Sequence, residues 1–383
     1  MERPDRPNEY RRLWRTRCRL RLSDNKRHAP RKREATIKDV ALEAGVSPMT
    51  VSRVVNMKGN VKQATAERIQ RAIAKVDYRP NIGARRLSGG RTYQILMIFN
   101  NPNVTWTAKL LIGMMHACRN IGYHLLIEGV GDYEGDTIGL PIDYEEITKL
   151  LDPSRIDGVI LPPPICFDRR LLEIVREKAV PCVRIAGTPA QDIQLRVSID
   201  NFAAAYELAN YFISEGHENL AIIKGPGDYV ASALRFEGFS ASIRDHGLKL
   251  SPSNIQTGNF DVQSGNECAR ELLRLKDRPT AIFASNDEMA AGVLSAAQES
   301  RIRIPEELSV AGFDDAPIAR SVWPKLTTIR QPLRAMGEKS VELLESYIRQ
   351  INNESDETVQ SNVLLDYELK VRQSSGTCPI AKH

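Results

Sequence analysis

The residues best placed to do chemistry in this sequence are groups that would read another molecule. Residues 36–56 run Thr-Ile-Lys-Asp-Val-Ala-Leu-Glu-Ala-Gly-Val-Ser-Pro-Met-Thr-Val-Ser-Arg-Val-Val-Asn. A guanidinium at Arg53 can fork onto O6 and N7 of a guanine, or it can grip a phosphate. Thr50 and Ser52 beside it offer hydroxyls suited to phosphate contacts or helix capping. Further along, Asp314–Asp315 and Asn286–Asp287 supply carboxylates. Neither pair has a His or Cys partner nearby in sequence to serve as nucleophile or base, so no enzyme and no catalytic residue is expected. The six cysteines, at 18, 118, 166, 182, 268 and 378, are scattered, with no Cys-x-x-Cys. That pattern argues against a metal site or a disulfide framework and fits a reducing cytoplasm, and neither metal nor cofactor is expected.

The elements that would position Arg53 can be read from spacing. Thr36 with Asp39 makes a capping-box pattern, so a helix starts at Ile37. Ile37, Val40, Ala41 and Ala44 share its inner face. Gly45 can take the left-handed conformation that closes it. Ser47 then caps a second helix that opens on Pro48, whose missing N–H has no partner at that position. Val51, Val54 and Val55 face inward, leaving Met49, Thr50, Ser52 and Arg53 outside. A third helix is expected over Ala64–Val76, with Ile69, Ala72, Ile73 and Val76 on its apolar face, ended by Arg79-Pro80. Two short helices around a tight turn, followed by a third, is helix-turn-helix geometry, which occurs both in ordinary cores and in major-groove readers.

Charge separates those two readings. Residues 1–91 hold 24 Lys and Arg against 9 Asp and Glu, a balance of +15, although the whole chain is +5 and the remainder therefore −10. Within residues 36–91 the excess is 11 basic to 4 acidic. A basic head on an acidic body is the footprint of a protein that grips phosphates at one end. Residues 1–35 are Arg-rich without apolar periodicity, a basic extension expected to be disordered. They are either a DNA-binding arm or the product of an over-long start. No stretch approaches the roughly 18 apolar residues that span a membrane, and no apolar segment follows the basic start, so no membrane partner is expected and the place of action is the cytoplasm, at the nucleoid.

From Tyr93 the rhythm changes. Strands are expected at Gln94–Phe99, Tyr123–Glu128, Gly158–Leu161, Pro181–Ile185, Asn219–Lys224, Thr280–Ala284 and Leu308–Phe313, with amphipathic helices between most of them. Such alternation builds parallel sheets covered by helices on both faces. Seven strands over some 280 residues call for two lobes, with a break near Gly187–Val197 and a return near Thr327–Gln331.

Ile-Lys-Asp-Val-Ala, Ala-Gly-Val-Ser, Thr-Val-Ser-Arg-Val-Val-Asn and Tyr78-Arg79-Pro80-Asn81, in that order, resemble the head of the LacI/GalR family of bacterial transcription regulators. The resemblance covers about residues 36–372. It implies a small all-α helix-turn-helix head on an α/β periplasmic-binding-protein-like body of two doubly wound parallel-sheet subdomains. The divisions expected are the extension 1–35, the head 36–80, a hinge helix and linker 81–91, and the body 92–383. Within the body, one subdomain takes about 92–188 plus 330–355, and the other 189–329 plus the C-terminal strands.

The same resemblance implies site residues. Pro48 and Met49 fall where relatives vary to choose operators. They would read thymine methyls and shape, with Thr50, Ser52 and Arg53 completing the major-groove set. Asn81 and Ala84 match minor-groove positions of the hinge, and Leu87 matches a leucine that wedges between base pairs, or else packs against the body. In the cleft, Arg235 aligns with an effector-gripping arginine and Phe260 with a stacking ring. Asn286, Asp314 and Asp200 end or follow strands, the usual ligand position in open α/β sheets. The first lobe departs from the pattern: Asn101 stands where an acid is common, Val104 where an asparagine is, and Trp106 replaces a phenylalanine. The function implied is that of a dimeric regulator, a repressor, binding double-stranded operator DNA of pseudo-palindromic sequence. A small-molecule effector, a sugar, would control it from the cleft. A solute-binding protein of a transporter is the rival that the body alone would allow.

Overall fold

The computed structural model describes residues 35–55, 61–76, 78, 91–101, 103–130, 142–186, 195–227, 229–355 and 358–378. The chain divides into two compact units, Met1–Gly89 and Gly90–His383.

The first unit holds α1 (Ile37–Ala44), α2 (Pro48–Val55) and α3 (Gln63–Val76). The Thr36 N–H and hydroxyl both donate to the Asp39 carboxylate at 2.7 Å, which fixes where α1 begins. Gly45 ends it at φ +61°, a conformation that costs a side-chain-bearing residue and is free to glycine. Val40, Ala41 and Ala44 of α1, Val51 of α2, and Ile69 and Ala72 of α3 form one small buried core. Lys75 of α3 pairs with Glu43 of α1 at 2.7 Å on the surface.

The second unit is built on two six-stranded sheets. The first contains β1 (Gln94–Phe99), β2 (His124–Gly129), β3 (Gly158–Leu161), β4 (Cys182–Ile185), β5 (Arg196–Ser198) and β11 (Asn362–Leu364), in the order β11-β5-β4-β3-β1-β2 and parallel throughout. The second contains β6 (Leu220–Lys224), β7 (Ile255–Thr257), β8 (Ala281–Ala284), β9 (Ser309–Asp314), β10 (Thr327–Arg330) and β12 (Glu368–Lys370), in the order β12-β10-β9-β8-β6-β7, with only β12 antiparallel. The central strands are apolar almost end to end because helices cover both faces. On the first sheet these are α4 (Val104–Ile121) and α12 (Leu333–Ile351) on one side, α5 (Tyr144–Leu150) and α6 (Arg169–Glu177) on the other. On the second they are α7 (Asn201–Ser214) and α8 (Val230–Asp245), then α9 (Val262–Leu273) and α10 (Asp287–Glu299). A short α11 (Pro317–Ser321) follows β9. The α4 and α12 backbones touch: a Cβ at Gly113 would collide with the Arg334 carbonyl, and one at Gly337 with that of Leu110.

The seven expected strands are present. Two features of the expected division need correction. The break near 188/189 lies too early, because β5 still pairs with β4 and the chain leaves the first lobe only after Ser198. The C-terminal strands do not both join the second lobe: β11 extends the first sheet beside β5, and only β12 reaches the second. The chain thus passes between lobes near residues 199–200, 331–332 and 365–367. Three-residue strands carry too little periodicity to be read from sequence, and their pairing is a tertiary choice.

Candidate functional sites

The start of α2 is presented outward. Ser47 Oγ accepts the Thr50 N–H at 3.2 Å and lies 2.8 Å from the Thr50 hydroxyl, so Thr50 serves the helix cap. Pro48, Met49 and Arg53 are exposed, while Thr50 and Ser52 are half-buried. Arg53 Nη2 approaches Met49 Sδ at 3.9 Å, so these side chains, one turn apart, share a single outer face. The hinge positions Asn81, Ala84 and Leu87 lie outside the described residues.

The body's candidate site forms where strands end. Four side-chain-bearing residues there take positive φ: Ala186 after β4 (57°), Phe260 after β7 (64°), and Asp314 and Asp315 at the end of β9 (112° and 48°). Such strain collects at binding sites because it aims side chains that regular structure would not.

Arg235 of α8 is the centre. It is buried, donating from Nε to Asn201 Oδ1 at 2.9 Å and from Nη1 to the Ser285 carbonyl at 2.5 Å. Its guanidinium carbon lies 3.5 Å from the Phe313 ring centroid, a cation–π contact, and Nη2 lies 4.0 Å from Asp314 Oδ1. Burial pulls its pKa down to about 10, against the Asp314 and Asp287 carboxylates that raise it, so it is a cation at neutral pH. Asp314 also accepts Gln331 Nε2 at 2.5 Å. Burial pushes its carboxyl upward, opposed by Arg235, Gln331 and Lys109. Asp287 accepts the Thr328 hydroxyl and the Ala316 N–H, each at 2.6 Å, and burial holds it well above the usual carboxylate range.

The other sequence-derived residues fall as follows. Asn286 caps α10 through the Met289 N–H at 2.9 Å and donates to the Phe260 carbonyl at 2.8 Å, which ties the Phe260 loop to the β8 end. The Phe260 ring meets Tyr229 edge-on at 5.0 Å. Asp200 is exposed and caps α7, accepting the Ala203 N–H at 2.8 Å, while its neighbour Asn201 reaches Arg235. On the first lobe, Asn101 is buried with both ends engaged, Nδ2 on the Pro163 carbonyl at 3.1 Å and Oδ1 on the Asn103 N–H at 2.8 Å. Trp106 is packed into the core cluster with Leu110 and Met114. The structure therefore brings Arg235, Asp314, Asn286 and Phe260 together through the β8 and β9 ends, and leaves the Asp200 carboxylate apart.

Sequence reading did not place Asn201, Ser285, Asp287 or Gln331 in the site, although it noted the Asp287 carboxylate. Three of them sit one residue beyond a position that was chosen or beside it, in Asp-Asn and Ser-Asn-Asp. The signal was present, and which neighbour faces inward was not.

A three-helix head that exposes Met49 and Arg53 on one face, joined to a two-lobed α/β body with polar groups at its strand ends, has the parts of a DNA-binding transcription regulator. The profile described as "Bacterial regulatory proteins, lacI family" matches residues 36–81, and that of the periplasmic binding protein-like domain matches 209–375. The chain is 31% identical over 323 residues to the transcriptional repressor PurR of Photobacterium profundum, covering 84% of this chain and 94% of that one. It is 31% identical over 347 residues to the repressor CytR of Escherichia coli, covering 90% and 97%. Among solved structures, the regulator CelR in complex with cellobiose superposes with a TM-score of 0.65 at 28% identity, covering 89% of this chain and all of that one. The lac repressor dimer bound to operator and the anti-inducer ONPF gives 0.67 at 25%, covering 90% and 100%. The chain belongs to the LacI family of bacterial transcription regulators. Among the described residues no helix is long and apolar enough to cross a membrane.

Proposed function

We propose that this regulator is a repressor that binds a pseudo-palindromic operator as a homodimer, in the cytoplasm at the nucleoid, under control of a sugar held between its lobes. The observation that carries this reading is that one chain joins an exposed reading face, Met49 with Arg53, to a strand-end site centred on a buried arginine. Arg235 and Asp314 are planar groups suited to pairs of hydroxyls, and Phe260 offers a ring face. The cellobiose complex of CelR supports the sugar class. Dimerisation is supported by exposed apolar side chains on one side of the first lobe, Ile112 and Met115 of α4 and Ile127 of the edge strand β2. Such a face on an edge strand calls for a cover. It is supported also by the dimeric lac repressor among the structural neighbours. Effector binding to one lobe arrangement in preference to another would shift the spacing of the heads.

The test is selection of DNA from a random library by the full-length protein, then gel-shift titration with and without a sugar panel. A half-site repeated with two-fold symmetry and a response to one sugar class are expected. A protein that binds sugar and no DNA would be the solute-binding rival instead. In the selected operator, Arg53→Ala should cost about 1–3 kcal/mol and relax one base position per half-site. An equal loss on operator and random DNA would make Arg53 a phosphate contact.

A further inference from the structure

The body begins at a clamp. Arg91, where the expected linker ends, has a side chain only 10% exposed. Its Nη2 lies 2.8 Å from the Glu354 carboxylate and its Nη1 3.9 Å from that of Glu345, and Nη1 also donates to the Tyr123 hydroxyl at 3.4 Å. One carboxylate holds the next two residues. Asp157 Oδ1 accepts the Thr92 N–H at 2.7 Å and its hydroxyl at 2.8 Å, and Oδ2 accepts the Tyr93 N–H at 2.9 Å. Three successive residues are thus fixed to other segments before β1 starts at Gln94.

The carboxylates on Arg91 move with α12. Glu345 lies near its C-terminal end, and Glu354 is tied back to it by its own N–H, which donates to the Arg349 carbonyl at 2.9 Å. The other end of α12 is at the seam between the lobes, where it starts at Leu333, just after the Gln331 that holds Asp314. Between its ends it lies backbone to backbone on α4. At 19 residues the helix is roughly 28 Å long, so it reaches from the strand-end site to the place where the head is joined. An arginine beside a DNA-binding head has another use, a phosphate contact. Its burial against two carboxylates and a phenol argues against that use, because a phosphate would have to draw out a guanidinium already paired and out of water.

We propose that Arg91 is a positioning residue for DNA binding: it fixes the point and direction from which the head is carried, and so the separation of two heads on one operator. Its role presumes the two-headed operator reading proposed above. A head on a fixed mount meets the second half-site at a high effective concentration, and a loosened mount spreads that concentration over many separations. A single half-site needs one head and gains nothing from the mount. Because the clamp closes on α12, a shift of that helix at the seam would move the mount as well.

The test is anisotropy titration of the full-length protein with the operator selected from a random library, with one half-site alone, and with operators whose half-site spacing is shortened or lengthened by a base pair. Arg91→Met should weaken operator binding by about tenfold or more, leave half-site binding unchanged and flatten the dependence on spacing. The variant should still melt cooperatively, because Glu345 keeps Arg349 at 3.9 Å and Glu354 is partly exposed to water. Glu354→Gln tests the clamp from its other side. Removing a negative charge should by itself tighten binding to either DNA, whereas the clamp requires a loss confined to the full operator. Equal losses on operator and half-site for Arg91→Met, a spacing preference that survives it, or Glu354→Gln binding the operator no more weakly than wild type would each overturn the clamp alone. A wild type that binds one half-site as tightly as two would sink the two-headed reading, and the clamp with it.

Discussion

The two lobes bring different chemistry to the space between them. The second lobe contributes a preorganised constellation: Arg235 held by Asn201, Ser285 and Phe313, with Asp314 fixed by Gln331 and Asp287 by Thr328 and Ala316. The first lobe contributes side chains whose polar atoms are mostly engaged in shaping its own loop. Asn101 bridges Pro163 and Asn103, and Asn103 caps the Trp106 N–H at 2.9 Å. Under the proposed function the second lobe would recognise the effector and the first would close over it. A buried, bonded arginine is already oriented before any ligand arrives, which would keep the ordering cost of recognition low.

Arg235→Met should give the largest effect. It leaves Asp314 and Asp287 buried without their cation, a change of the kind that costs about 3–5 kcal/mol, and it should abolish the effector response in gel shifts. Retained response with only a lower melting temperature would reduce Arg235 to a structural role. Asn101→Ala should be intermediate. It orphans the Asn103 N–H at the start of α4, costing about 1–3 kcal/mol in denaturant titrations, while calorimetry with the effector should show a smaller loss than for Arg235→Met. Equal losses would erase the asymmetry between lobes. Asp200→Ala should do least: about 1 kcal/mol from the missing cap of α7, with effector affinity unchanged, because Asn201 is the residue that reaches Arg235. A tenfold weaker effector would return Asp200 to the site.

The head was legible because its signals are local. Thr36–Asp39, Gly45 and Ser47-Pro48 act within a few residues, and the structure places each at a helix end. The core strands were legible for a related reason, since burial on both faces demands apolar runs such as Gln94–Phe99 and Ala281–Ala284. The edges were not. Arg196–Ser198 and Asn362–Leu364 are three residues each, and nothing within them selects the first sheet over the second. The strand-end site was legible to within one residue: Arg235, Asn286 and Asp314 lie in it, but Asp200 turns to solvent and Asn201 inward.

By itself, then, the order of residues determined the class of protein. Capping, periodicity and a +15 head on a −10 body are properties of short stretches and of sums, which need no three-dimensional placement. Only the tertiary structure decided the partners at the seam and in the strand-end site. Lys109 and Asp315 are 206 residues apart, and Arg235 meets Asn201 and Ser285 from three separate segments. A hydrogen bond or a raised pKa depends on distance and on lost water, and neither exists until the chain has brought distant segments together.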